Sequence, residues 1–340
     1  MKSWKTWFGV ALSIAFLSMA LGNIDWALFQ SSMTTISLPL FVFVMLIVVF
    51  TLAIRGVRWH YLLKPVTPVS PVTLFWSTTI GFAVNNVLPA RLGEVARAYS
   101  AHRRGGTPFG AAFGTIVVER LYDTFSALFL FVAAILVFDF GDMESVFGVG
   151  PEKVAATLGA GGLGLLAGIV VLKWKTDFAM SVFRAVARPL PDAWTAKIER
   201  GFRSFVGGFT QSTKPFDIAV IVTISIVIWI ISAFQIRWSV ATFGLYLNRE
   251  ATVILVMAIV VAVAVPAAPG YVGVYHYLAQ QALIRYAGVE PSMALSMAVV
   301  VHASNYIPQT AVGLARFAYE GLRISDLKSL KGERVAPEDA

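Results

Sequence analysis

Apolar runs long enough to cross a hydrocarbon layer recur along this 340-residue chain, and basic residues gather in alternate connections between them. A helix needs about 20 apolar residues to span a core of about 30 Å, and residues 7–22, 36–54, 109–138, 155–172, 216–235 and 292–318 read as such spans. Inside a bilayer the backbone must satisfy its own hydrogen bonds, so runs of this length fold as helices. With 57% hydrophobic and 14% charged residues and a mean hydropathy of +0.74, the chain lies far from soluble domains, which carry about 25% charged residues. The fold expected is an all-α polytopic membrane protein.

Two further segments are apolar but do not fit a straight crossing. Residues 71–88 lead through Pro89 into a strongly charged stretch, and both flanks are basic, so the chain is expected to enter and return on one side with its apex near Leu88, Pro89 and Ala90. Residues 251–265 and 272–287 are two arms of about 15 residues, roughly 22 Å each as helices, joined by PAAPGY. They read as a second re-entrant hairpin. The sequence then divides into span, hairpin, span over 36–138 and again over 216–318, with the hairpins dipping from opposite faces. Interrupted segments at matching places in two halves point to an inverted repeat around a central site.

The net charge of +8 suggests a nucleic-acid partner at first sight, yet its distribution fits a positive-inside bias and anionic headgroups instead. Arg55, Arg58, His60 and Lys64 read as a cytoplasmic flank, and residues 173–214 as the most basic connection, with apolar side chains at helical spacing suited to lying on the inner leaflet. Both termini are then cytoplasmic. The first run is expected to stay as an anchor, although a secretory leader begins in the same way. Residues 1–322 form one transmembrane unit and 323–340 a polar tail. Without cysteine there is no disulfide or thiolate chemistry, and four scattered histidines suggest no metal and no cofactor.

Charge inside the slab marks the candidate site. The stretch GFAVNNVLPARLGEVARAYSAHRRGGTPFGAAFGTIVVERLYD, residues 81–123, sets Asn85, Asn86, Arg91, Glu94, Arg97, Glu119, Arg120 and Asp123 in or beside apolar sequence. Ionisable groups at membrane depth are costly and usually face a partner or a substrate path. Glu119 and Asp123 share a helix face, and Arg120 reaches Asp123 three residues on. Arg91 and Arg97 suit a phosphate, because a guanidinium meets its oxygens in bidentate fashion. Plainer roles stand beside these: an ion pair locking two helices, flanking charge, and amides of Asn85 and Asn86 satisfying a broken backbone. Pro89, Gly93, Pro266, Pro269, Gly270 and Gly273 are hairpin punctuation. His276 is either a titrating group or a hydrogen-bonding residue at a helix end.

NNVLPARLGEVARAY, then VVERLYD, then PAAPGYVGVYH resemble the motifs of the lysylphosphatidylglycerol synthase transmembrane-region family, also called the flippase-like domain family. The resemblance covers about residues 41–316. It implies an inner-membrane protein related to lipid flippase domains, hopanoid transporters and archaeal proteins linked to lipid-carried glycans. By position it places the family's polar signature on Asn86, Pro89, Arg91, Gly93, Glu94, Arg97, Glu119, Arg120 and Asp123, and on Pro269, Gly270, Gly273 and His276. Bifunctional relatives carry a soluble aminoacyl transferase, whereas this sequence ends about 20 residues past its last span, so lysyl transfer is not expected. The function expected is translocation of a phospholipid or other amphiphile, with membrane lipids as partners and no enzymatic step. A membrane-embedded transferase and a structural protein are the alternatives. With no GxxxxGKS-type nucleotide loop, an ion gradient or passive movement would drive transport.

Overall fold

The computed structural model describes residues 4–22, 24–88, 91–140, 153, 156–164, 214–265 and 267–322. Most of those residues are helical, and there is no strand among them. Helix α1 (Trp4–Leu21) is followed after a bend of 91° by α2 (Trp26–Thr34), whose start is fixed by the Asp25 carboxylate accepting from Ala27 and Leu28 N–H. Then come α3 (Leu38–Leu63), the pair α4 (Pro71–Val87) and α5 (Leu92–Gly105), and α6 (Phe109–Val137). The second half holds α7 (Pro215–Ala241), the pair α8 (Arg249–Ala264) and α9 (Val274–Ala287), and α10 (Pro291–Tyr319).

Helices α3, α6 and α7 are each long and apolar enough to cross a bilayer. Helix α10 is as long as α6 but less apolar, because it carries His302, Asn305 and Gln309 among its buried serines. Of the six runs read as spans, half of 155–172 falls outside the described residues, as do Pro89, Pro266, nearly all of 173–214 and the tail.

Local chemistry sets the breaks. Pro71 follows Ser70, whose hydroxyl accepts from Thr73 N–H, and Asn248 caps α8 through Ala251 N–H. At the other ends Gly106 and Gly288 take positive φ and stop α5 and α9. Residues 23–35, read as a plain connection, contain α2, which docks on α10 through Asp25 N–H to Ser292 and Ser296 to the Phe29 carbonyl.

Each hairpin closes tightly. Helix α5 crosses α4 at Gly93 and Gly81, where a Cβ on Gly93 would collide with the Gly81 carbonyl and the Asn85 amide. Asn85 Oδ1 accepts from Gly93 N–H at 2.7 Å, so the amide ties the end of α4 to the start of α5. In the second hairpin Gly273, at φ 90°, lies against the Ser13 carbonyl of α1, where no other residue fits. The two apices also touch. Arg91 Nη2 donates to the Val263 carbonyl at 3.1 Å, Tyr306 donates to the Asn86 carbonyl at 3.3 Å, and Gly270 abuts the Tyr306 ring. One apolar cluster fills α3 to α6 around Trp59, and a larger one fills α7 to α10 around Tyr275. The candidate charges lie where α3, α5 and α6 meet.

Candidate functional site

Helix α6 sets two carboxylates one turn apart, Glu119 and Asp123, toward α3 and α5. Arg97 of α5 grips Glu119 with both terminal nitrogens, Nη1 to Oε1 at 2.9 Å and Nη2 to Oε2 at 2.7 Å. Its guanidinium also lies over the Trp59 ring, 3.9 Å from the centroid. Arg58 of α3 bridges the carboxylates, with Nη2 3.0 Å from Glu119 and Nη1 on Asp123. Nη1 of Arg58 also meets the Ser225 hydroxyl of α7 at 2.8 Å. Asp123 receives Arg55 and Arg120, each at 3.4 Å on Oδ2, and Arg120 turns its other nitrogen to Glu94 at 3.1 Å. Four guanidiniums thus meet three carboxylates, leaving one positive charge in excess.

Exposure grades this lattice. The side chains of Glu119 and Arg58 are fully buried and that of Arg97 is 2% exposed, whereas Asp123 is at 12%, Arg55 at 16%, Glu94 at 20% and Arg120 at 40%. The inner three are held in place by one another, since a buried charge is tolerable only when paired and hydrogen-bonded. The outer groups are the ones a ligand can reach. Arg97, read as a phosphate ligand, spends both terminal nitrogens on Glu119.

Other expected residues fall around this lattice or at the apices. Asn86 is buried and donates to the Thr310 hydroxyl at 2.9 Å, so it pins α4 to α10. Arg91 is exposed, adopts left-handed backbone at φ 52° and ties the apices together. His276 is buried at the start of α9, and its Nδ1 accepts from Gly273 N–H at 3.3 Å, which puts the ring proton on Nε2. Its ring meets His302 edge-on at 4.9 Å, apart from the arginine lattice. Pro269 begins the short turn Pro269–Tyr271 in which Gly270 takes φ 72°.

By sequence alone Arg55 and Arg58 read as flanking charge beyond a span ending at residue 54, yet the structure brings both into the lattice. Helix α3 runs nine residues further, to Leu63. The signal was present: Leu52, Gly56, Trp59 and Leu63 continue the buried stripe past the first arginine.

One turn beyond Asp123 an apolar groove of about 360 Å³ opens between α6, α7 and α8, lined by Ala127, Phe131, Ala134, Trp229, Ala233 and Val256 among others. Its inner end adjoins the lattice, because the Trp229 indole that lines it donates to the Asp123 backbone carbonyl at 2.9 Å. Along α6 it runs from Ala127 to Phe138, roughly 16 Å. At the far end the Arg249 guanidinium lies over the Phe138 ring, 5.9 Å from its centroid.

Long apolar helices, two helix pairs meeting at their apices and a charge lattice sealed between helices define a multi-pass, all-helical membrane protein. The chain belongs to the family described as "Lysylphosphatidylglycerol synthase TM region", whose model matches residues 6–313. It is similar to a "UPF0104 membrane protein" of Methanothermobacter thermautotrophicus, 25% identical over 343 residues that cover 93% of this chain and 94% of the relative. A second protein of that description, from Methanocaldococcus jannaschii, is 36% identical over 81 residues, 23% of this chain and 24% of its own length.

Proposed function

We propose that this protein moves a phospholipid or related amphiphile across the cytoplasmic membrane, without making or breaking covalent bonds. One observation carries the reading: an apolar groove with a cationic residue at each end, Arg120 beyond Asp123 on one side and Arg249 on the other. A lipid has the complementary shape, an acyl chain with a phosphate. Arg120 is the most exposed member of the lattice, so its guanidinium is the one a headgroup phosphate can reach from the groove. Ala127, Ala133, Ala134 and Ala233 keep the groove wide enough for a chain. Glu94 and Asp123 hold Arg120 in place. An ion gradient or the lipid gradient itself supplies the driving force.

In this reading α3 to α6 and α7 to α10 are halves of opposite orientation, each a long helix, a helix pair and a long helix. Their hairpins enter from opposite faces and meet at Arg91 and Val263. The Arg103 end of α5 and both termini lie in the cytoplasm, and the turn around Tyr246 lies outside.

The test is reconstitution into liposomes carrying fluorescently labelled phosphatidylglycerol, with dithionite bleaching of the outer leaflet. Wild-type protein should carry bleaching past the half that outer-leaflet lipid accounts for. Arg120→Gln and Ala134→Trp, which removes the cation or fills the groove, should slow it at least about tenfold. Arg103→Gln, an exposed control, should not. Bleaching that stops at half with wild type, or is equal in all variants, would sink the reading, and a new lipid species appearing instead would mark a transferase.

A further inference from the structure

On the opposite side of α7 from the groove, Thr51, Arg55, Ser232, Gln235, Asn305 and Gln309 line a chamber of about 50 Å³ closed by Val48, Leu52 and Phe82. One water needs about 10–15 Å³ of such volume, so the chamber has room for a few waters or one small ion. Polar walls from three long helices, two of them spans by length and composition, are costly to assemble at this depth and are explained by an occupant.

The donors identify the occupant. A guanidinium carries five N–H groups, and among the described residues Arg55 makes one hydrogen bond, the 3.4 Å contact to Asp123 Oδ2 that Arg120 shares. The other charged partners are closer, so the surplus positive charge of the lattice rests chiefly on Arg55. The amides add to it. Asn305 gives one N–H to Gln235 Oε1 at 2.9 Å and Gln309 gives one to Asn305 Oδ1 at 2.8 Å, and each has a second N–H to offer. Gln235 is anchored behind them by Ser239 and Ser304, both at 3.1 Å. The Thr51 and Ser232 hydroxyls donate to their own helix carbonyls and can turn toward a ligand.

We propose that this chamber binds a phosphate group, held by Arg55 and the amides of Asn305 and Gln309, whether it belongs to a lipid or to the free ion. The site goes beyond the transport reading and does not depend on it. Binding is measured on the full chain in uncharged detergent, exchanged into gluconate buffer, by thermal unfolding followed through tryptophan fluorescence. The probes are inorganic phosphate and dihexanoyl phosphatidylglycerol.

A saturable rise in unfolding temperature is expected with at least one probe. Phosphate alone acting assigns a free-anion site, and the lipid alone a headgroup site. Arg55→Gln should weaken binding at least about tenfold. Thr51→Val combined with Gln309→Leu leaves every ion pair intact and should weaken it too, while Arg103→Gln should not. No saturable rise with either probe, or wild-type affinity in both chamber variants, would show that the chamber holds only water. Transport failing in liposomes while these shifts persist would remove the translocation reading and leave this site standing.

Discussion

Replacing Glu119 by glutamine tests the architecture most directly, because the two side chains have nearly the same shape. The carboxylate is fully buried and accepts two charge-assisted hydrogen bonds from Arg97, with Arg58 3.0 Å away. A glutamine has one acceptor oxygen and would turn an N–H toward a guanidinium, leaving two buried cations facing a neutral amide. Removing one partner of a buried pair costs about 3–5 kcal/mol. At about 2 °C per kcal/mol, suited to a chain of this size, the unfolding midpoint should fall by about 6–10 °C in detergent. Most of that loss is an uncompensated charge rather than a lost bond. The double variant Glu119→Gln with Arg97→Gln should therefore fall by less than the sum of the singles, a coupling of about 1–3 kcal/mol. It should not return to wild type, because Arg97 also covers Trp59. Strict additivity, or a Glu119→Gln midpoint equal to wild type, would mean that the carboxylate is not a sealed counter-ion.

Three further outcomes follow from the geometry. Gly93→Ala should keep the first hairpin from closing, because the added methyl meets the Gly81 carbonyl and the Asn85 amide; a shifted or aggregated size-exclusion profile reports this, and a normal profile with an unchanged midpoint refutes it. The chain has no cysteine, so Asn86→Cys with Thr310→Cys should cross-link under mild oxidation or with a short bifunctional reagent, since these side chains touch at 2.9 Å, and a pair that stays uncoupled argues against the docking of α4 on α10. Single cysteines at Arg103 and Tyr246, both exposed, should label from opposite faces of sealed cells with an impermeant maleimide, and labelling from one face would overturn the orientation proposed for the two halves.

The sequence was legible where a side chain's solvent preference alone decides its place. Apolar runs announced α3, α6 and α7, and the run opening at Pro71 announced where α4 begins. Charge spacing on α6 also placed Asp123 beside Arg120 and gave Glu119 the same face. Partner choice was not legible, because it depends on which helices meet. Arg58, thirteen residues from the nearest hairpin residue and inside a basic cluster, looked like any flanking cation until α3 was seen to carry it to Glu119 and Asp123. By itself the sequence determined that charge would be buried among membrane helices and roughly which residues would carry it. Only the tertiary structure decided that Glu119, Arg97 and Arg58 close on one another while Arg120 and Arg55 keep donors free, since a charge is spent or available according to the distance to its neighbours and not according to its identity.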